Sequence, residues 1–195
     1  MVKQRIIEEA SELFGRVGVK SVTMDDLARH LGISKRTIYE NFRNKEELLI
    51  AYIGALDVEK RTFFKNIFLE ADNVADAILV MLRKDAEQAS QRQFNMIEDI
   101  RKYYPQVYKE HLTNFLNDKR MELKRMIQRG IKEGVFRENL NPEIIAHFFC
   151  RQVEDIAYYD MLLDKFSKID VFENLAITFL RGICTAKGLE IINQY

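Results

Sequence analysis

The stretch SVTMDDLARHLGISKRTIYENFRNKE, residues 21–46, decides how this chain begins to fold. Thr23 stands three residues before Asp26, Ser34 three before Thr37, and Asn44 three before Glu47. A side-chain oxygen at that spacing accepts a hydrogen bond from one of the orphan amides that open a helix, and an acidic residue three positions on can answer it. Successive helix starts are therefore expected at Thr23, Ser34 and Asn44. Between the first two, Leu27, Ala28 and Leu31 form an apolar stripe at helical spacing, and Gly32 follows where helices commonly end in a left-handed residue. The first short helix should stop near Leu31 and the second should run from Ser34 to about Phe42, with Ile33 plugging the angle between them. Two short helices joined by a tight glycine turn make a helix-turn-helix.

The outward face of the second helix bears on function. At about 100° per residue, Ile38 and Phe42 share a face that must be buried, which turns Arg36, Thr37 and Glu40 outward with Lys35, Tyr39 and Arg43 flanking. Arg36 and Lys35 suit guanine edges and Thr37 a thymine methyl or a phosphate, since the first residues of a recognition helix are the ones that reach bases in the major groove. Tyr39 and Lys45 are placed for phosphates. A solvated face in an ordinary bundle would carry similar polar residues, but the ordered caps, glycine turn and basic edge together favour double-stranded DNA. The whole chain has a formal net charge of zero, yet from Lys20 to Lys45 there are six Lys or Arg against three Asp or Glu. The cationic excess is local to the motif.

Residues 1–50, through TMDDLARHLGISKRTIYENFRNKEELL, resemble the N-terminal DNA-binding domain of the TetR family of bacterial transcriptional regulators. The resemblance implies that Thr23, Ser34, Thr37, Tyr39 and Lys45 touch DNA. Arg36 stands where many members have Gly or a small residue, and Asn41, also placed in the DNA-binding set, where His or Tyr is frequent. The base preference therefore does not carry over from the family.

Around this motif the chain reads as all-α, with about nine helices: a three-helix reading domain over 1–46 and a helical effector-binding and dimerisation domain over 47–195. Of 195 residues 47% are hydrophobic, with only two prolines and eight glycines, and strand signals are essentially missing. A first helix over 2–17 puts Ile6, Ala10, Leu13, Phe14 and Val17 on one face. It supplies the apolar surface that two short helices lack. A long helix follows from Asn44 towards Phe68, and then come helices over Val74 to about Ala89, Gln91 to Tyr103, and Pro105 to near Gly134. The segment EGVFRENLNPEII, residues 133–145, reads as a loop with Phe136 tucked in and Asn141 capping a helix that opens on Pro142. The last two helices are expected over about 142–164 and 168–190, and the resemblance implies that such a pair packs against its two-fold mate.

That pair carries the stripes of Phe149, Ile156, Phe172, Phe179 and Ile183, which are assigned to a homodimer interface. Phe68, Phe94, Met96, Tyr104, Tyr108 and Phe115 are candidates for an apolar pocket suited to a small hydrophobic or aromatic effector. The chain is thus expected to be a DNA-binding regulator, most simply a repressor released from a two-fold operator. A helical protein-interaction module without sequence-specific DNA binding is the competing reading. No cofactor or metal is expected: His30, His111 and His147 fit no ligand spacing, and no nucleophile-base grouping or phosphate loop stands out, which leaves an enzyme the weakest class. Cys150 and Cys184 read as buried thiols in a reducing cytosol. With no signal peptide and no apolar run of about 20 residues, a cytoplasmic protein independent of membranes is expected.

Overall fold

The computed structural model describes residues 2–90, 96–155 and 165–194. Among them the fold is all-α, and ten helices form where about nine were expected. They gather into two compact units, Met1–Arg61 with Gln91–Leu116, and Thr62–Ser90 with Asn117–Tyr195. The unit that holds the helix-turn-helix is thus larger than residues 1–46.

In the first unit, helix α1 (Val2–Val17) buries Ile6, Ile7, Ala10, Leu13 and Phe14 and ends at Gly18, whose positive φ of 85° favours glycine. Helix α2 (Met24–Leu31) opens on a complete capping box: the Asp26 amide donates to Thr23 Oγ1 at 3.1 Å, and the Thr23 amide donates to Asp26 Oδ2 at 3.0 Å. It closes at Gly32, φ 65°, where the Ile33 amide returns to the Ala28 carbonyl at 3.0 Å. Helix α3 (Lys35–Asn41) is capped by Ser34, which accepts from the Thr37 amide at 3.0 Å. Helix α4 (Lys45–Glu70) is capped by Asn44, while Glu47 reaches one residue further back than a strict box, to the Arg43 amide at 2.8 Å. Helix α6 (Met96–Tyr103) and the start of the next helix complete this unit. Its core joins Phe14, Leu27, Ile38, Phe42, Leu48 and Leu49 to Met96, Ile100, Val107 and Leu112. Each such side chain contributes about 1.5–3 kcal/mol by leaving water. Residues 96–116 therefore belong with the motif because they cover apolar surface that α1–α4 leave open.

Helix α7 begins with Pro105 as its first residue (Pro105–Val107), passes through one π turn (Tyr108–Leu112) and continues as Thr113–Lys132. The π turn is not legible in the sequence. Its cause is local: both the amide and the hydroxyl of Thr113 donate to the carbonyl of Tyr108, five residues back, the hydroxyl at 2.9 Å.

The second unit is built from α5 (Val74–Ser90), the later part of α7, α8 (Pro142–Asp155), α9 (Lys168–Ile183) and α10 (Ala186–Ile192). Asn73 caps α5, Asn141 caps α8 through the amides of Glu143 and Ile144, and a Ser167–Asp170 capping box opens α9. The core centres on Ile78, Met126, Ile127, Phe136 and Ala146. The single last helix expected over 168–190 is corrected here to two. Cys184 turns extended and forms an isolated antiparallel bridge with Phe136, the Arg137 amide donates to Ile183 O at 3.0 Å, and the Thr185 amide donates to Val135 O at 2.9 Å. Thr185 then caps α10. Apart from that bridge the described residues contain no strand, and none of their helices is long and apolar enough to cross a membrane.

Candidate nucleic-acid interface

The first turn of α3 presents an exposed cationic edge. The Arg36 side chain is 88% exposed and its Nε donates to Glu40 one turn on at 2.8 Å, which holds the guanidinium along the helix surface. Lys35 pairs with Asp25 of α2, which ties the first turn of α3 to its partner helix. Ser34 and Thr37 share a hydroxyl hydrogen bond at 2.9 Å, and Tyr39 is 49% exposed. Ile38, fully buried, fixes this rotation, so the outward set of Lys35, Arg36, Thr37 and Tyr39 follows from one apolar anchor. Exposed surface ion pairs such as Arg36–Glu40 are worth little and are readily exchanged for a phosphate or a base edge.

Three of the expected contact residues have side chains already engaged. Thr23 accepts from the Asp26 amide and lies 2.6 Å from Asp26 Oδ2, so its hydroxyl proton is held within the capping box. These bonds from Thr23, with Arg29 and Lys45 nearby, hold the Asp26 carboxyl below its usual range. The Asn41 amide donates back to Thr37 O at 2.8 Å. Lys45 departs furthest from a phosphate-binding role. Its ammonium is directed inward to the carbonyls of Val19 and Val22, with that of Lys20 at 3.4 Å, and it lies 5.8 Å from the Phe14 ring and 5.5 Å from the Tyr104 ring. Burial, opposed by the charges of Asp99 and Asp26, pushes its pKa down.

This arrangement agrees with what the chain is similar to. Residues 6–52 match the model of the bacterial regulatory proteins of the tetR family. Over those residues the chain carries a TetR-family helix-turn-helix domain. The HTH-type transcriptional regulator YvaF of Bacillus subtilis is 24% identical over 184 residues, 92% of this chain and 94% of its own length. The transcriptional repressor KstR2 of Mycobacterium tuberculosis is 25% identical over 161 residues, 73% of each chain, and its solved structure, that of a ketosteroid transcriptional regulator, has a TM-score of 0.69 over 95% of this chain and 96% of its own. The structure of FadR from Bacillus subtilis in complex with stearoyl-CoA has a TM-score of 0.72 at 18% identity, covering 92% of this chain and 98% of that one. These relatives are transcriptional regulators, and the solved structures share this chain's fold.

Among the described residues, those expected to hold an effector do not line the cavity found in the second unit. Met96 is buried, and the half-buried Tyr104, Tyr108 and Phe115 pack against the core of the first unit, with Tyr52 Oη donating to Met96 Sδ at 3.6 Å. Phe94 and the side chain of Phe68 lie outside the described residues. The cavity, about 170 Å³, is lined instead by Leu79, Leu82 and Arg83 of α5, Ala176 and Arg181 of α9, and Ile192 of α10, among others. It is smaller than the roughly 300–1,000 Å³ that takes a drug-sized ligand. Periodicity marked the aromatic residues as inward-facing but did not say which core they enter.

The residues expected at the interface on the last helices pack in part within their own chain. Phe149 and Ile183 are buried in their own chain, and the half-buried Phe179 ring lies 4.8 Å from that of Phe149, so these residues hold α8 to α9. Ile156 and the side chain of Phe172 lie outside the described residues. Among the described side chains, the large apolar ones that α8 and α9 turn outward are Ile144 (64% exposed), Phe148 (55%) and Leu175. Ile144 and Phe148 are one turn apart, a spacing that already signals a shared face.

Proposed function

We propose that this chain is a homodimeric repressor that binds a two-fold DNA operator and leaves it when a small hydrophobic or aromatic molecule binds. The carrying observation is the first turn of α3, where Lys35, Arg36, Thr37 and Tyr39 stand outward on a helix fixed by Ile38. Ser34 to Tyr39 read the groove and its phosphates, with Arg36 as the main base reader and Asn41 at the rim. Residues 1–46 carry the reading function, braced by residues 96–116 of the same unit, and the rest of the chain serves response and pairing. A single short recognition helix reads only a few base pairs, so specificity calls for two of them about 34–36 Å apart or a multiple of that distance. Ile144, Phe148 and Leu175 are the residues we assign to the pairing face. The repressor named KstR2 supports the sign of regulation. That KstR2 is a ketosteroid transcriptional regulator and that FadR is solved in complex with stearoyl-CoA support a mainly apolar effector, for which Tyr104, Tyr108 and Phe115 offer half-buried rings.

Electrophoretic shift with DNA flanking the chain's own gene, run at two salt concentrations, tests the reading. A complex that weakens steeply with salt is expected from phosphate neutralisation, and no complex at low salt overturns the proposal. In the same assay Arg36→Ala should relax base preference, costing about 1–3 kcal/mol of discrimination, while Tyr39→Phe weakens all sequences alike. Light scattering tests pairing: a mass near 23.0 kDa at micromolar concentration excludes the dimer, and Phe148→Glu should produce that mass from a wild-type dimer. Any effector must antagonise operator binding reciprocally, because both bias one equilibrium.

A further inference from the structure

Both cations in the first turn of α3 are already paired with carboxylates. Lys35 meets Asp25 of α2 and Arg36 meets Glu40 one turn on, so the two pairs together offer no net charge to a phosphate. What they offer is direction. Arg36 Nε donates to Glu40 Oε1 at 2.8 Å, and among the described residues no acceptor meets its Nη1 or Nη2. A guanidinium is planar and carries five N–H donors in a fixed fork. With Nε held, the two Nη groups present a parallel pair of donors at the outward start of the helix, on a side chain 88% exposed. In the major groove guanine shows two acceptors side by side, O6 and N7. Adenine shows an acceptor beside a donor, cytosine an amino donor, and thymine one acceptor beside a methyl group. Guanine alone satisfies both prongs.

We infer that Glu40 is a positioning residue that sets base specificity through Arg36: it holds Nε, aims the remaining fork at a guanine in the operator, and keeps the arginine from swinging to a phosphate. This rests on the DNA-binding reading above. In water the pair is weak, as exposed ion pairs are. In a groove that excludes water the same hydrogen bond is stronger, and a carboxylate 2.8 Å from Nε repels a phosphate oxygen that approaches the fork. An arginine without that partner has the reach and the rotamer freedom to trade the base for the backbone.

Operators are first selected from random duplexes by full-length wild type. Wild type, Arg36→Ala, Glu40→Ala and Glu40→Gln are then titrated against the selected operator and against copies in which each guanine in turn is 7-deazaguanine, which lacks the N7 acceptor. An unrelated duplex is titrated over a salt series. Removing N7 at one guanine position should cost wild type about tenfold in affinity. In Arg36→Ala the same change should cost nothing further, which assigns that position to Arg36. In Glu40→Ala the loss should shrink to about twofold. The slope of log K against log salt on the unrelated duplex should also steepen by about 0.9 in this variant, because the released arginine takes a phosphate. Glu40→Gln keeps an acceptor for Nε without the charge and should fall between Glu40→Ala and wild type. A Glu40→Ala protein that keeps the full 7-deazaguanine loss and the wild-type slope overturns the inference, and so does a wild type indifferent to every such guanine. Both side chains are exposed, so thermal midpoints should stay close to wild type in all three variants. A purely structural pair would instead lower the midpoint and leave the 7-deazaguanine loss unchanged. Failure of wild type to bind any duplex at low salt would reject the DNA-binding reading itself.

Discussion

The end of α1, both ends of α2 and the start of α3 are set by residues within a turn: Gly18, Thr23 with Asp26, Gly32, and Ser34. In the second unit the decisive stop lies elsewhere. Helix α9 ends at Ile183 because Cys184 and Thr185 pair with Val135 and Phe136, some fifty positions earlier in the chain. The loop they meet is itself anchored by Gly134, φ 70°, and by the amides of Val135 and Phe136, both of which donate to Gly130 O. The first three helices are thus punctuated by local chemistry, whereas the end of the chain is punctuated by a tertiary contact. Substitutions chosen in matched pairs, one from each unit, probe that difference.

The largest effect is expected from the buried rings. Phe136 and Phe42 are both almost fully buried, and truncating either to Ala should cost about 3–5 kcal/mol in denaturant unfolding. Hydrogen exchange distinguishes the two. The Thr185 amide, bonded to Val135 O, should lose protection in Phe136→Ala and keep it in Phe42→Ala. Loss of that protection in both variants would erase the distinction between the units.

A smaller effect, and one of opposite sign in the two units, is expected at mid-helix glycines. A Cβ on Gly130 would stand 2.2 Å and 2.5 Å from the Phe136 ring and 2.8 Å from Val74, all buried atoms, whereas one on Gly54 meets open space. Gly130→Ala should therefore destabilise by about 1–3 kcal/mol through overpacking. Gly54→Ala should stabilise by about 0.5–1 kcal/mol, the ordinary helix preference. Urea midpoints that rise for both would show that the loop against α7 is soft.

Caps come next. Thr23→Ala should cost about 1 kcal/mol, an ordinary N-cap loss. Thr185→Ala should cost more, up to about 2 kcal/mol, because its hydroxyl also donates to Gly134 O at 2.7 Å and so fastens α10 to the loop. Equal costs measured by thermal unfolding would mean that the tertiary bond contributes nothing.

The last effect is absent at neutral pH and confined to the alkaline range. Burial pushes the Cys184 thiol up from 9.0 to about 11. Across that interval the unfolded chain has released its proton and the folded chain has not, so stability falls as pH rises from about 9 to about 11 and is unaffected below. Cys184→Ala should flatten this limb of the stability profile. An unchanged limb would place the alkaline loss in another group.

How much of this was legible follows the same division. Capping needs only residues a few positions apart, and a stripe of Leu27, Ala28 and Leu31 or the anchor Ile38 needs only helical geometry. The sequence alone therefore determined the all-α class, the helix-turn-helix, its outward residues and most helix limits. Those features are set by backbone hydrogen bonding and local periodicity. Where apolar residues outnumber one face, periodicity says that they are inside and not what they meet. The tertiary structure decided that Met96, Tyr104, Tyr108 and Phe115 join the reading unit, that Phe149 and Phe179 face each other, and that the last helix breaks at Cys184. It also turned the Lys45 ammonium inward, because three carbonyls and two rings converge at that point and bulk water does not. Which partner a long side chain finds depends on groups brought together from distant parts of the chain, and that proximity exists only once the core has formed.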